Sequence, residues 1–156
     1  MQSVPLPATD PDSARGADRL TFAASVDRSG MVEAPSSDAG VPWWSFTKTL
    51  VAAAVMRLAE RDALTLDAPL SGKPFSVRQL LQNRAGVGNY GQLDAYHRAV
   101  ARNEDPWPVE MLLDRADADT LLFPPGAGWA YSNVGYLMLK QVVEDATGDL
   151  LDVALR

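Results

Sequence analysis

The chain opens on strand-like patterning and turns helical after Pro42. Leu20 to Val26 is apolar and β-tolerant, Asp27-Arg28-Ser29-Gly30 is turn-forming, and Met31-Val32-Glu33 can return, so the segment predicts a hairpin. Residues 1–18, rich in Pro, Asp, Ser and Ala, lack periodicity and are expected to form a disordered tail. Residues 34–42 read as a loop. Ser45 to about Arg61 is apolar on nearly every side, with three consecutive alanines, which predicts a buried central helix. Ser76-Val77-Arg78-Gln79 has the capping-box pattern and opens a short helix to about Asn83. Gly86, Gly88 and Gly91 interrupt the chain before a helix over 92–102. Pro108 suits the first position of a helix reaching Ala116, and Val134 to Thr147 is helical with Gly148 as its cap.

This order is unbalanced. One hairpin precedes five helical segments, and no strand-like segment follows in the second half. A two-stranded sheet is marginal alone, so either the helices bundle by themselves or the sheet needs further strands. The 156 residues allow one domain. With 14 basic against 20 acidic residues the net charge is −6, and no Lys/Arg cluster offsets it, so nucleic acid is not an expected partner. The chain holds no Cys and one His, His97, which excludes a Cys/His zinc site; no metal and no cofactor is expected. No apolar run reaches ~18 residues, so no membrane span is expected. Met1 to Pro7 lacks a basic and an apolar leader region, which predicts a cytoplasmic chain, or a periplasmic one if the native N-terminus is longer.

Two short motifs carry chemistry. Ser45-Phe46-Thr47-Lys48 is a Ser-x-x-Lys tetrad at a helix start, where positions i and i+3 share a face and Lys48 can reach the Ser45 hydroxyl. Serine needs a neighbouring base or cation to act as a nucleophile, and the helix N-terminus favours developing negative charge. Ten serines and three lysines give about 0.2 such pairs by chance, so the tetrad alone carries little, and Ser45 as a plain helix cap is the bland alternative. The second motif is Tyr131-Ser132-Asn133, between a Pro-Pro-Gly loop and a helix.

With their surroundings these residues resemble the serine β-lactamase and penicillin-binding-protein superfamily. The nearer likeness is to the β-lactamase-related serine hydrolases, among them class C β-lactamases, D-aminopeptidases and esterases. The matching stretches are Trp43 to Lys48 with its alanine-rich helix, Leu64 to Leu70, Val77 to Leu81 through Ala85-Gly86, and Pro124-Pro125-Gly126 through Tyr131 to Tyr136. They stand in the family's order across residues 19–156. The resemblance implies an α+β fold of the β-lactamase/transpeptidase type, layered αβα, with the mainly helical part present. It implies Ser45 as acylated nucleophile with its backbone N–H in the oxyanion hole, and Lys48 easing deprotonation. Tyr131 would relay the proton, while Asn133 binds the substrate amide and holds Lys48. A tyrosine near pKa ~10 is a poor base until a lysine ammonium crowds it, which makes Lys48 and Tyr131 sensible as a pair. Trp44, beside Ser45, is expected to wall the substrate cleft.

Two departures follow from the same resemblance. Asn83 stands where relatives commonly carry His, at a position expected to support the loop. The family's third motif, Lys-Thr-Gly or His-x-Gly on a strand, does not occur within the 156 residues, so the chain is expected to be an N-terminal fragment ending before the C-terminal strands. Slow or negligible turnover follows, since one lost oxyanion donor costs on the order of 10²–10³ in rate. Self-association through the hairpin's open edge is also expected. The expected activity is acyl-enzyme hydrolysis of a small-molecule amide, ester or peptide, with a peptidase or esterase favoured over an antibiotic-resistance enzyme. Its competitors are a non-catalytic remnant or binding module of the same fold, and an unrelated helical domain. Elsewhere His97 reads as a surface residue, Trp107 as a packing anchor and Asp67 as a turn residue.

Overall fold

The computed structural model describes residues 25–33 and 43–155, in two compact units that divide between Pro42 and Trp43. In the first, β1 (Ser25–Val26) pairs antiparallel with β2 (Val32–Glu33), Val26 opposite Val32. Asp27 makes the turn. Its Oδ1 accepts from the backbone N–H of Ser29 and Met31 and from the Ser29 hydroxyl, and Gly30 takes the left-handed position at φ 84°. The hairpin turn falls where the sequence places it. The expected strand residues 20–24, the tail 1–18 and the loop 34–42 lie outside the described residues.

The second unit is helical: α1 (Thr47–Glu60), α2 (Val77–Leu81), α3 (Asp94–Ala101), α4 (Val109–Arg115), α5 (Asn133–Thr147) and α6 (Leu151–Ala154). The capping box is formed as expected, with Ser76 Oγ accepting from Gln79 N–H and the Gln79 side chain accepting from Ser76 N–H. The terminators were less visible in the sequence. Asp62, Asn83, Asn103 and Asp117 adopt positive φ just past α1, α2, α3 and α4. In each case the next residue's N–H reaches back five residues, as from Ala63 to Leu58 O and from Arg84 to Gln79 O. Short polar side chains tolerate this left-handed closure, which satisfies helix-end carbonyls. Gly148, at φ 75°, closes α5 as predicted.

The core forms where α5 packs against α1 and α2. Val51, Ala54 and Val55 recur at helical spacing on α1, and α5 contributes Val134 from its first turn and Leu139 and Val143, one turn apart, further along. Val77 and Leu80 of α2, with Phe75, Ala85, Val87 and Ala118 from loops, complete the cluster. Burying each large side chain contributes about 1.5–3 kcal/mol. The prediction that the first helix is buried all round needs correction, because Phe46, Leu50 and Met56 are exposed. Its buried stripe is one-sided. Asp67 also does more than turn: Arg78 grips its carboxylate with two hydrogen bonds, 2.5 and 2.9 Å. Those bonds hold the Asp67 carboxyl below its usual value. Among the described residues no helix is long and apolar enough to cross a membrane.

Gly86 joins the α2 end to the loop after α4. Its carbonyl accepts from Leu122 N–H at 2.7 Å, its φ is 81°, and a Cβ there would lie 2.3 Å from the Phe123 carbonyl oxygen. Backbone cannot step aside as a side chain can. Gly86→Ala is therefore expected to cost at least ~2 kcal/mol, read as a fall of about 6 °C or more in Tm by calorimetry.

Candidate active site

Ser45 sits one step outside α1. It lies in a 3₁₀ turn, Trp44–Phe46, that leads into the α-helix at Thr47, so the expectation that the helix begins at Ser45 is off by this tighter turn. Trp44, just before it, has φ 42°. Among the described residues it is the non-glycine at positive φ that does not close a helix, and a bulky side chain there stores about 1–3 kcal/mol of strain. Its own ring cannot offset that, being 83% exposed. The neighbours hold it in place: Phe46 N–H donates to Trp43 O at 2.9 Å, and the Trp43 and Phe46 rings pack edge to face at 5.1 Å. The result is a serine hydroxyl held outward at the positive end of α1.

Tyr131 meets it there. Its hydroxyl lies 2.9 Å from Ser45 Oγ. Lys48, one helical turn on, donates to Asn133 Oδ1 at 2.6 Å and stands 5.1 Å from the Tyr131 ring centroid and 5.6 Å from that of Tyr136. Proximity along the helix thus does not make Lys48 a direct hydrogen-bond partner of Ser45 as the spacing suggested. Lys48 reaches across to the 131–133 segment, and Tyr131 takes the place beside the serine. Burial raises the Tyr131 pKa, but the Lys48 ammonium and the Ser45 hydroxyl outweigh it and hold the phenol below its usual 10.0. Burial pushes Tyr90 and Tyr136 the other way, and the Tyr131 phenol adds to the rise in both. Tyr131 is thereby the phenol of this group that ionises first.

The 131–133 segment is moulded on the chain between α2 and α3. Asn83 closes α2 and also accepts from Ser132 N–H with its side-chain oxygen (3.1 Å), while its backbone oxygen accepts from Ala130 N–H (3.0 Å). This is the loop support expected of that position. The Ser132 hydroxyl, buried, donates to Gly88 O at 2.7 Å and accepts from Gly135 N–H at 2.9 Å, capping α5. Asn89 Oδ1 accepts from Asn133 at both its backbone and side-chain nitrogens. Neither Ser132 nor Asn89 was singled out from the sequence. The glycine spacing around 86–91 was the available signal, since it marks close backbone approach.

All five residues expected at the site are gathered at one end of the helical unit. Trp44, Lys48 and Asn133 line, with Thr47, Tyr90 and Tyr136, a cleft of about 150 Å³, whose lining does not include Ser45 or Tyr131. His97 is exposed and donates from Nε2–H to Gly91 O at 2.9 Å. Trp107 packs against Tyr96 and under the Arg115 guanidinium, 4.1 Å from its centroid. Among the described residues no group of three acidic or histidine side chains is placed to hold a metal.

Comparison with known proteins gives the family and the fold. A family model described as Beta-lactamase matches residues 19–156. Esterase EstB of Burkholderia gladioli is 33% identical over 131 residues, covering 71% of this chain and 33% of the esterase. A penicillin-binding protein of Bacillus subtilis (strain 168) is 31% identical over 116 residues, covering 67% of this chain and 24% of that protein. Among solved structures, a D-stereospecific amidohydrolase from Streptomyces sp. superposes with TM-score 0.65 at 24% identity, over 80% of this chain and 43% of that one. The octameric penicillin-binding protein homologue from Pyrococcus abyssi gives TM-score 0.58 at 25% identity, over 71% and 28%. The fold is that of the β-lactamase/transpeptidase proteins, and this chain spans a quarter to a third of the length of the two curated relatives.

Ser132 carries a stability test of the site's framework. Ser132→Ala removes the α5 cap and leaves the Gly88 carbonyl without its donor, which is expected to cost roughly 2 kcal/mol. A urea midpoint within error of the wild type would contradict the assigned role.

Proposed function

The chain belongs to the beta-lactamase family, and from that membership we propose that it carries the acylating half of a serine hydrolase site, with Ser45 as nucleophile. The observation that carries this reading is the 2.9 Å contact between Ser45 Oγ and the Tyr131 hydroxyl, whose pKa is held below the usual value. The phenolate of Tyr131 takes the Ser45 proton as Oγ attacks a carbonyl carbon. The oxyanion develops at the α1 N-terminus, where the backbone N–H of Ser45 stabilises it. Collapse expels an amine or alcohol, which receives the proton from Tyr131 and leaves an ester on Ser45. Water then attacks that ester, giving its proton to Tyr131; collapse releases the acid, and Tyr131 returns the proton to Ser45 Oγ, which restores the hydroxyl and the phenolate.

Lys48 has two tasks in this scheme. Its charge keeps the phenolate accessible, and its hydrogen bond to Asn133 holds the 131–133 segment against α1. Asn133 would also meet the substrate amide, and Trp44 would border the cleft. The substrate class is a small amide, ester or peptide. The relatives bear names of an esterase and of a D-stereospecific amidohydrolase, which supports acyl transfer to water over a binding role. The nucleophile and its proton acceptor are both present in the 156-residue chain, so acylation of Ser45 by a reactive reagent is expected.

Incubation with a fluorescent fluorophosphonate should label the chain once, and Ser45→Ala should abolish the label. Tyr131→Phe should slow labelling by about 10²-fold or more, the usual scale of a lost general base. Because the Tyr131 pKa is lowered, the labelling rate should climb with pH through a midpoint below 10.0, as phenol gives way to phenolate. Tyr131→Phe should flatten that rise. Label retained in Ser45→Ala would refute the reading.

A further inference from the structure

Asn133 can present either end of its amide to Lys48, and only one end is useful. An amide oxygen accepts and an amide nitrogen donates, so an ammonium is held by the oxygen and repelled by the nitrogen. In the structure the oxygen faces Lys48 Nζ at 2.6 Å. The choice is made on the opposite side, by a residue that makes no hydrogen bond to Ser45, Lys48 or Tyr131. Asn133 Nδ2 donates to Asn89 Oδ1 at 3.1 Å, and Asn133 backbone N–H donates to the same atom at 3.2 Å. Turning the amide over would set two oxygens against each other and two sets of donors against each other.

We infer that Asn89 is a positioning residue of this site: its side-chain oxygen selects the orientation of the Asn133 amide and so fixes where the Lys48 ammonium stands beside Tyr131. The inference rests on the proposed reading of Ser45 and Tyr131, and deepens it.

Asn89 is itself well held. It precedes the 3₁₀ turn Tyr90–Gln92, where its Oδ1 also accepts from Gly91 N–H at 3.2 Å and its backbone oxygen accepts from Gln92 N–H at 3.1 Å. A Cβ on residue 91 would lie 3.2 Å from Asn133 Nδ2 and 3.4 Å from Asn89 Oδ1, so the absence of a side chain leaves room for this contact. His97 pins the Gly91 carbonyl from α3. One oxygen thus gathers three N–H groups from two segments 44 residues apart or more closely spaced within the turn, and passes their geometry to Lys48. The titratable groups around Tyr131 are Lys48 on α1, Tyr90 in the turn and Tyr136 on α5. Lys140, which also lines the cleft, is engaged by Glu144.

The test follows the ionisation of Tyr131 in the 156-residue chain. Phenolate absorbance is titrated against pH and assigned by difference from Tyr131→Phe. Asn89→Leu removes the acceptor at similar size and should move the Tyr131 midpoint upward. It should also cut Ser45 labelling near neutral pH by about tenfold or more, with the rate profile displaced to higher pH. Asn89→Asp keeps an oxygen for the same three donors and should label within about threefold of the wild type. Should Asn89→Leu fail to fold, Asn89→Ser can still cap the turn while its hydroxyl falls short of Asn133, and it must show the same upward midpoint. A folded Asn89→Leu with unchanged midpoint and profile overturns the inference, as does Asn89→Asp proving as damaging as Asn89→Leu. An unlabelled wild type would defeat the reading of Ser45 instead, and the Tyr131 titration would still decide the role of Asn89.

Discussion

Everything at the site hangs on α1 and α5 packing side by side with their first turns at the same end. Val51, Ala54 and Val55 on one helix and Val134, Leu139 and Val143 on the other share a closed apolar cluster. Such cores are close-packed, so the relative slide of the two helices is fixed within a fraction of a side chain. That slide determines whether residues 45–48 and 131–133, distant in sequence, stand within hydrogen-bond reach. They do, through Ser45 to Tyr131 and Lys48 to Asn133.

The common orientation has an electrostatic consequence. Each helix N-terminus carries roughly half a positive charge, and here two of them and a lysine ammonium converge. Anions are favoured in that corner, whether a tyrosine phenolate or an oxyanion on an attacked carbonyl. Against burial, the Lys48 ammonium and the Ser45 hydroxyl hold the Tyr131 pKa down, whereas those of Tyr90 and Tyr136 are raised. Lys48 is near the first phenol and is held there, while burial governs the other two. The strained Trp44 belongs to the same design, since a tight turn entered at positive φ keeps Ser45 clear of the helix and facing Tyr131.

Around this corner, residues that end helices also build the site. Asn83 closes α2 in the left-handed conformation and, from that fixed position, offers its side chain to Ser132 N–H. Ser132 begins α5 and ties it to Gly88. Asn89 begins a 3₁₀ turn and holds Asn133. Caps are suited to this because their backbones are already committed, so their side chains are directed with little further loss of freedom.

The sequence by itself determined the local matters: the hairpin turn at 27–30, the capping box at Ser76, the glycine stop at 148, and the residue types of Ser45, Lys48, Tyr131 and Asn133. Each depends on neighbours within four or five positions, or on motif order along the chain. Its reading of α1 as buried all round failed because alanine and leucine favour a helix whichever way they face, and only packing partners decide the face. It missed α6, and although it ended α1, α3 and α4 within a residue, it did not foresee the left-handed closures at Asp62, Asn103 and Asp117, where no glycine flags them. The resemblance implied that Asn133 holds Lys48 and that Tyr131 serves Ser45; the tertiary structure alone decided that Lys48 bonds Asn133 rather than Ser45, that Tyr131 takes the place beside the serine, and that Asn89 joins the site. Those are pairings between segments 44 to 86 residues apart, and no local periodicity encodes a distance across a core.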